Sequence, residues 1–143
     1  MSKKFAIIVS RFNEEVTTGL LNGALATFQE KDVPKQMIDI IHAPGAFEIP
    51  LIAKKLAQTK NYQGVVCLGC VIKGDTAHFE FISLGATMGI MNAMLDTGIP
   101  ITFGIITTYT DEQAIARSRD DSHNKGREAT LACLDSLSVI SSL

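Results

Sequence analysis

No apolar run in this 143-residue sequence approaches the roughly 20 residues that a bilayer-spanning helix needs, so a membrane-embedded chain is not expected. The opening segment, MSKKFAIIVSRFN, has too short an apolar stretch and no small-residue cleavage site for a secretory leader; the cytoplasm is the expected location. An excess of one sign of charge is missing too. Thirteen Lys and Arg stand against 15 Asp and Glu, a net charge of −2, which offers no broad cationic field, so neither nucleic acid nor a membrane surface is expected as a partner. Cysteine is sparse and odd in number: Cys67, Cys70 and Cys133 argue against a disulfide framework and are read as reduced thiols. Cys67 and Cys70 do spell C-x-x-C, but inside GVVCLGCVI, which reads as a strand whose positions three apart point to opposite faces. Such sulfurs do not converge as zinc or redox chemistry requires. No metal cluster, nucleotide-cofactor fingerprint, linker, repeat or low-complexity tract is visible. The expectation is one domain over residues 1–143 with neither metal nor cofactor.

What is present is a strong alternation. Apolar residues make up 46% of the chain and charged residues 20%, a balance that fills an interior and argues against disorder. Four short runs rich in β-branched residues, Phe5 to Ser10, Met37 to Ala43, Gly64 to Ile72 and Ile101 to Thr107, predict strands. Between them lie segments of helical spacing, such as Val16, Leu20, Ala24 and Phe28. Strand and helix in turn predict a parallel sheet covered on both faces. Asp32, Pro34, Gly64, Gly98 and Pro100 mark expected turns. After the fourth strand, TDEQAIARSRDDS opens with Thr110 and Asp111 as capping residues, and NKGREATLACLDSLSVI reads as a terminal helix.

The segment from Phe79 to Leu95 is apolar nearly all round, with Ile82, Leu84, Met88, Ile90, Met91, Met94 and Leu95 spread about the axis and Gly85, Ala86, Gly89 and Ala93 on one narrow side. A helix of that kind must be covered on nearly every side. One sheet face cannot do this, which points to packing on another subunit with the small residues permitting close approach, the alternative being a crowded monomer core.

Ligands of open parallel sheets sit beyond the carboxyl ends of the strands, which selects the loops SRFN, HAPGAFE, VIKGDTAH and the segment from Thr107 to Thr110. Phe12 either stacks on an aromatic ligand or closes the core. Glu48 either binds hydroxyl groups or caps a turn. In KGDTAH, glycine admits close backbone approach, Thr76 offers a hydroxyl, and the amides that open the following helix suit a phosphate. Asp75 would turn its carboxylate away from such an anion. His78, in the first turn of that helix, is a candidate proton carrier or a structural histidine. Arg117 and Lys125 are either solvated or, if their turn folds over the anion site, phosphate ligands.

SRFN, PGAFEIP, GCVIKGDTAHFE, FGIITT and NKGREA, in this order and over nearly the whole chain, together resemble the lumazine synthase family of riboflavin biosynthesis. The resemblance implies a flavodoxin-like three-layer α/β/α fold with a four-stranded parallel sheet of order 2-1-3-4, assembled as a homopentamer with the active site between subunits. It implies a transferase that condenses two small-molecule substrates, 5-amino-6-(D-ribitylamino)uracil and 3,4-dihydroxy-2-butanone 4-phosphate. Carried over by position, Phe12 would stack on the pyrimidine, with Asn13 supporting its loop. Ala46, Phe47 and Glu48 would hold the ribityl chain and ring, and Cys70, Val71 and Ile72 would line the pyrimidine pocket. Phe103 would enter the neighbouring subunit's pocket. Asp75, Thr76, Arg117 and Lys125 would bind the phosphorylated butanone, and His78 would transfer protons. Many members carry an extension before the first strand that pairs with a neighbour; the chain here opens close to that strand, so the pentamer is expected and a 60-subunit shell is the larger alternative. Riboflavin synthase is the candidate protein partner.

The competing readings are a flavin- or nucleotide-binding module, a phosphorylation-switch receiver and an inactive shell protein. The first needs a Ser/Thr/Gly-rich phosphate loop where SRFN stands, and the second needs aspartates clustered at the first and third strand ends, which are lacking. An assay separates the third.

Overall fold

The computed structural model describes residues 3–143. Its four strands, β1 (Lys4–Ser10), β2 (Ile38–Ala43), β3 (Tyr62–Ile72) and β4 (Ile101–Thr108), form one sheet of order β2-β1-β3-β4. All pairings are parallel, as the alternation of strand and helix predicts. The helices are α1 (Glu14–Glu30), α2 (Ile49–Gln58), α3 (His78–Thr97), α4 (Asp111–Ala116) and α5 (Lys125–Ser141).

Alternate strand residues feed two separate cores, because successive side chains on a strand point to opposite faces. Phe5, Ile7, Val9, Val66, Leu68, Cys70 and Ile106 pack with Val16, Leu20, Ala24 and Phe28 of α1 and Ala129 and Cys133 of α5. Ala6, Ile8, Val65, Cys67, Ile101 and Ile105 pack on the other face with Ile49 and Ala53 of α2 and Ala86, Ile90 and Ala93 of α3. Three layers result. Cys67 and Cys70 fall in different cores, so the C-x-x-C spelling has no chemical partner in it. Burial drives their thiols upward, Cys70 to about 11 and Cys133 to about 12, with Cys67 higher again. At neutral pH all three are protonated and poor nucleophiles.

Several boundaries depart from the sequence reading. Gly64 is not a turn: β3 already starts at Tyr62, and Gly64 sits inside it because a Cβ there would come 2.5 Å from the Cys133 sulfur. Met37 belongs to a single 3-10 turn before β2. The stretch after Thr110 is helical only from Asp111 to Ala116; Thr110 caps it by accepting from the Gln113 amide at 3.1 Å, while Asp111 is its first helical residue. The small-residue stripe of α3 faces its own chain rather than a second one. A Cβ on Gly85 would meet the Phe47 ring at 2.6 Å, and one on Gly89 would meet Pro50 at 2.7 Å. The large residues Phe81, Leu84, Met88, Met91 and Leu95 of the same helix remain exposed.

Candidate active site

At the carboxyl end of β1 the chain turns sharply into α1 through Asn13, which holds a left-handed conformation with φ 59°, one that asparagine tolerates better than most residues. Its side chain does not cap α1. Instead its Nδ2 donates to the Cys70 carbonyl at 3.1 Å, tying the first loop to the end of β3. The Arg11 amide donates to the Ala43 carbonyl at 3.0 Å, and the Lys73 amide to the Thr108 carbonyl at 2.9 Å. These bonds extend the parallel ladder past the strand ends, so that all four loops are held in register.

Between those loops lies a cavity of about 380 Å³, walled by Phe12, the segment from Pro44 to Glu48, Cys70, Val71, Ile72, His78 and Ile82. That volume suits a small-molecule ligand. Phe12 and Phe47 are 73% and 56% exposed, a large solvation cost for two aromatic rings unless something covers them. The Phe47 ring rests on α3 at Gly85, where only a glycine leaves room for it. Gly45 likewise leaves space beside the Glu48 carboxylate, whose Oε1 would lie 3.1 Å from a Cβ there. His78 opens α3, with Ile82 one turn further on. Its amide donates to Thr76 Oγ1 at 3.4 Å. Asp75 and Thr76 stand exposed on the loop before α3 and are not part of the cavity wall.

Phe103, Arg117 and Lys125 lie elsewhere. Phe103 and Lys125 line a second groove of about 600 Å³ together with Thr87, Ile90, Met91 and Met94 of α3 and Ala129 and Ala132 of α5. The groove runs along β4, an edge strand, and shares no residue with the first cavity. Thr102 Oγ1 is buried in its wall with no hydrogen-bond partner. Lys125 donates its backbone amide to the Arg117 carbonyl at 2.9 Å, and its Nζ pairs with Glu128 at 2.7 Å. Arg117 curls back on its own helix, donating from Nη1 to the Gln113 carbonyl at 3.0 Å. Within one chain, therefore, the turn carrying Arg117 and Lys125 does not fold over the cavity that holds His78.

Some residues escape a sequence reading. Ile82 is signalled only by its i+4 spacing from His78. Asn124 caps α5 by accepting from the Arg127 amide at 3.0 Å and donates to the Gly19 and Arg119 carbonyls at 3.1 and 2.8 Å; its place before a helical stretch is the one sign of it. A larger hollow of about 640 Å³ opens beside the C-terminal turns of α1 and the start of β2, at the opposite end of the sheet. It has no convergent set of catalytic groups.

The described residues include no group of three or more His, Cys, Asp or Glu side chains placed to hold a metal ion. No helix among them is long and apolar enough to cross a membrane.

The family model for 6,7-dimethyl-8-ribityllumazine synthase matches residues 2–141. A protein of Caulobacter vibrioides named 6,7-dimethyl-8-ribityllumazine synthase 1 is 62% identical over 137 residues, 96% of this chain and 90% of its own length. Proteins named 6,7-dimethyl-8-ribityllumazine synthase from Salinibacter ruber and Syntrophus aciditrophicus are each 45% identical, over 98% and 96% of this chain and 90% and 89% of theirs. A match that spans every loop of the site as well as both cores leaves no part of the fold unaccounted for: the chain belongs to the 6,7-dimethyl-8-ribityllumazine synthase family.

Proposed function

We infer that the chain, as one catalytic domain in the cytoplasm, condenses 5-amino-6-(D-ribitylamino)uracil with 3,4-dihydroxy-2-butanone 4-phosphate in the cavity at the strand ends. The observation that carries this reading is the meeting of two uncovered aromatic rings, a carboxylate and an imidazole around about 380 Å³, in a chain of that family. Phe12 stacks on the pyrimidine, and Asn13 holds the Phe12 loop through its bond to Cys70. Ala46, Phe47 and Glu48 take the ribityl chain, Glu48 as acceptor for its hydroxyls. Cys70, Val71 and Ile72 form the pocket floor. Asp75 and Thr76 present the loop before α3 to the phosphorylated ketone, whose phosphate finds the free amides of that helix start.

The pyrimidine amine adds to the ketone carbonyl and loses water to give a Schiff base; phosphate leaves by elimination, the resulting enol becomes a new carbonyl, and the second amine adds to that carbonyl and loses a second water as the ring closes. Holding two reactants together supplies much of the rate, since well-oriented groups reach effective molarities of roughly 10⁵ M or more. His78 moves protons between the amines and the departing oxygens.

The site is completed by a second copy, and the assembly we propose is a pentamer, with a 60-subunit shell as the larger form. Two features of the separate groove support this. Phe103 is 42% exposed there, and Thr102 Oγ1 is buried without a partner. In the pentamer Phe103, Arg117 and Lys125 of one copy would face the Phe12 and His78 cavity of the next. Riboflavin synthase, which consumes the lumazine, is the protein partner this reading implies. Mixing the purified chain with both substrates tests the activity: lumazine absorbance should rise with protein concentration, and a flat trace would refute it.

A further inference from the structure

Tyr109 touches both ends of the loop that opens α3. Its ring lies 5.9 Å, centroid to centroid, from that of Phe79, the residue after His78. The Lys73 ammonium, at the start of the same loop, sits 5.7 Å from the centre of the same ring. The loop between these two points has little else to hold it. Residues 73 to 78 are all exposed, and the side-chain bond within the stretch is the long one from the His78 amide to Thr76. Tyr109 is itself anchored: its amide donates to Gln113 Oε1 at 2.9 Å, and the preceding Thr108 carbonyl accepts from the Lys73 amide at 2.9 Å. Tyr109 is 67% exposed, so covering core apolar surface does not explain its place.

We propose that Tyr109 is a positioning residue, a ring on which the Lys73 stem and the Phe79 ring close the loop that carries Asp75, Thr76 and His78 into its binding shape. An aromatic face attracts both a cation and the edge of a second ring, and a platform touching both ends of a loop limits the conformations left to its middle. The proposal rests on the reading of that loop as the seat of the phosphorylated ketone. The ring carries the effect and the hydroxyl does not, since the contacts are to the ring.

Steady-state kinetics with each substrate varied in turn test this. Tyr109→Ala should raise KM for the phosphorylated ketone about tenfold, within the range that small misplacements of a binding group cause, while KM for the pyrimidine stays within about twofold of the unsubstituted chain's. Tyr109→Phe should restore both values. An unchanged ketone KM in Tyr109→Ala, or an equal rise in Tyr109→Phe, overturns the proposal. A second measurement needs neither turnover nor a ring deletion. The chain has two tyrosines and no tryptophan, so in Tyr62→Phe the tyrosine emission comes from Tyr109 alone. Inorganic phosphate should change that emission saturably where chloride at equal ionic strength does not. Emission indifferent to phosphate overturns the proposal. If the unsubstituted chain makes no lumazine, the reading of the activity fails, and the phosphate titration still decides the role of Tyr109.

Discussion

Single side chains here do separable jobs, and the separation is testable. His78 is expected to contribute proton transfer, worth about 10²- to 10⁴-fold, while proximity of the two substrates survives its loss. His78→Ala should therefore slow turnover by about that factor and leave a measurable rate above the uncatalysed mixture, read by lumazine absorbance; an unchanged kcat would remove His78 from the mechanism. Most residues of the first cavity were legible in the sequence because they sit in loops directly after strands, where the position of a side chain follows from the position of the strand end; Ile82, one turn into α3, was not. Phe103, Arg117 and Lys125 were legible by type but not by place. Nothing in the order of residues says that the first and last form a groove apart from His78, although the i,i+3 spacing of Lys125 and Glu128 on the terminal helix does suggest their pair. Tyr109 lies in a selected loop, Thr107 to Thr110, but nothing marks its role there, since a lone exposed aromatic in a turn looks the same whether or not a ring and an ammonium rest on it.

At the scale of elements, the ends are what hold the site's scaffold together. Asn124 is almost wholly buried and serves α5, the Gly19 carbonyl of α1 and the Arg119 carbonyl at once. Asn124→Ala removes the cap and leaves buried acceptors unpaired, so stability should fall by about 2–3 kcal/mol. In urea the midpoint should drop while the slope holds; a midpoint unmoved would mean that water replaces the side chain. The strand starts are joined by a different device. The Tyr62 hydroxyl donates to Asp39 at 2.7 Å and Lys4 Nζ to the same carboxylate at 3.3 Å, linking β3, β2 and β1. The Tyr62 bond, then Lys4, holds the Asp39 carboxyl below its ordinary value, and Arg127 does the same for Glu30. Burial first, and Asp39 second, hold the Tyr62 phenol above its own.

The signs follow from those directions. The depressed carboxyls add stability that is complete above roughly pH 4 and is lost as pH falls through their lowered values. The raised phenol adds stability that is complete below roughly pH 10 and is lost as pH climbs through its higher value. Denaturation across pH should show both limbs. Tyr62→Phe should shrink both limbs without erasing either: the buried thiols of Cys67, Cys70 and Cys133, also raised by burial, keep an alkaline loss that begins at roughly pH 8.5, and Lys4 and the Arg127 pair still support the acid one. An alkaline limb unaltered in Tyr62→Phe would assign it to the thiols alone. Strand and helix identities were readable from period and β-branching, yet β3 was started two residues late, at Gly64, because a glycine inside a strand and one that opens it look alike until the Cys133 sulfur is seen against it.

Across the whole molecule, the isolated chain exposes too much. Its surface is 8115 Å², whereas a folded monomer of 15.4 kDa should expose about 7200 Å². Phe81, Leu84, Met88, Met91 and Leu95 of α3 belong to that excess. The sequence foretold the surplus from a helix apolar all round; it did not foretell which side would face inward, because the small residues that suggested a second subunit in fact seat Phe47 and Pro50. On a monomer, Leu84→Glu would be a surface exchange worth under about 0.5 kcal/mol. In the proposed assembly it would bury a charge and should split the oligomer, seen as a lower mass in sedimentation; an unaltered mass would place the contact on another face.

The most direct test of a catalytic site shared between copies is complementation. His78→Ala and Arg117→Ala are each purified alone and also produced together in equal amounts, and lumazine formation is compared. In a random mixed ring about one interface in four pairs an intact His78 with an intact Arg117, so the mixture should recover about a quarter of the unsubstituted rate, well above the average of the two variants. Activity no greater than that average would contradict the account.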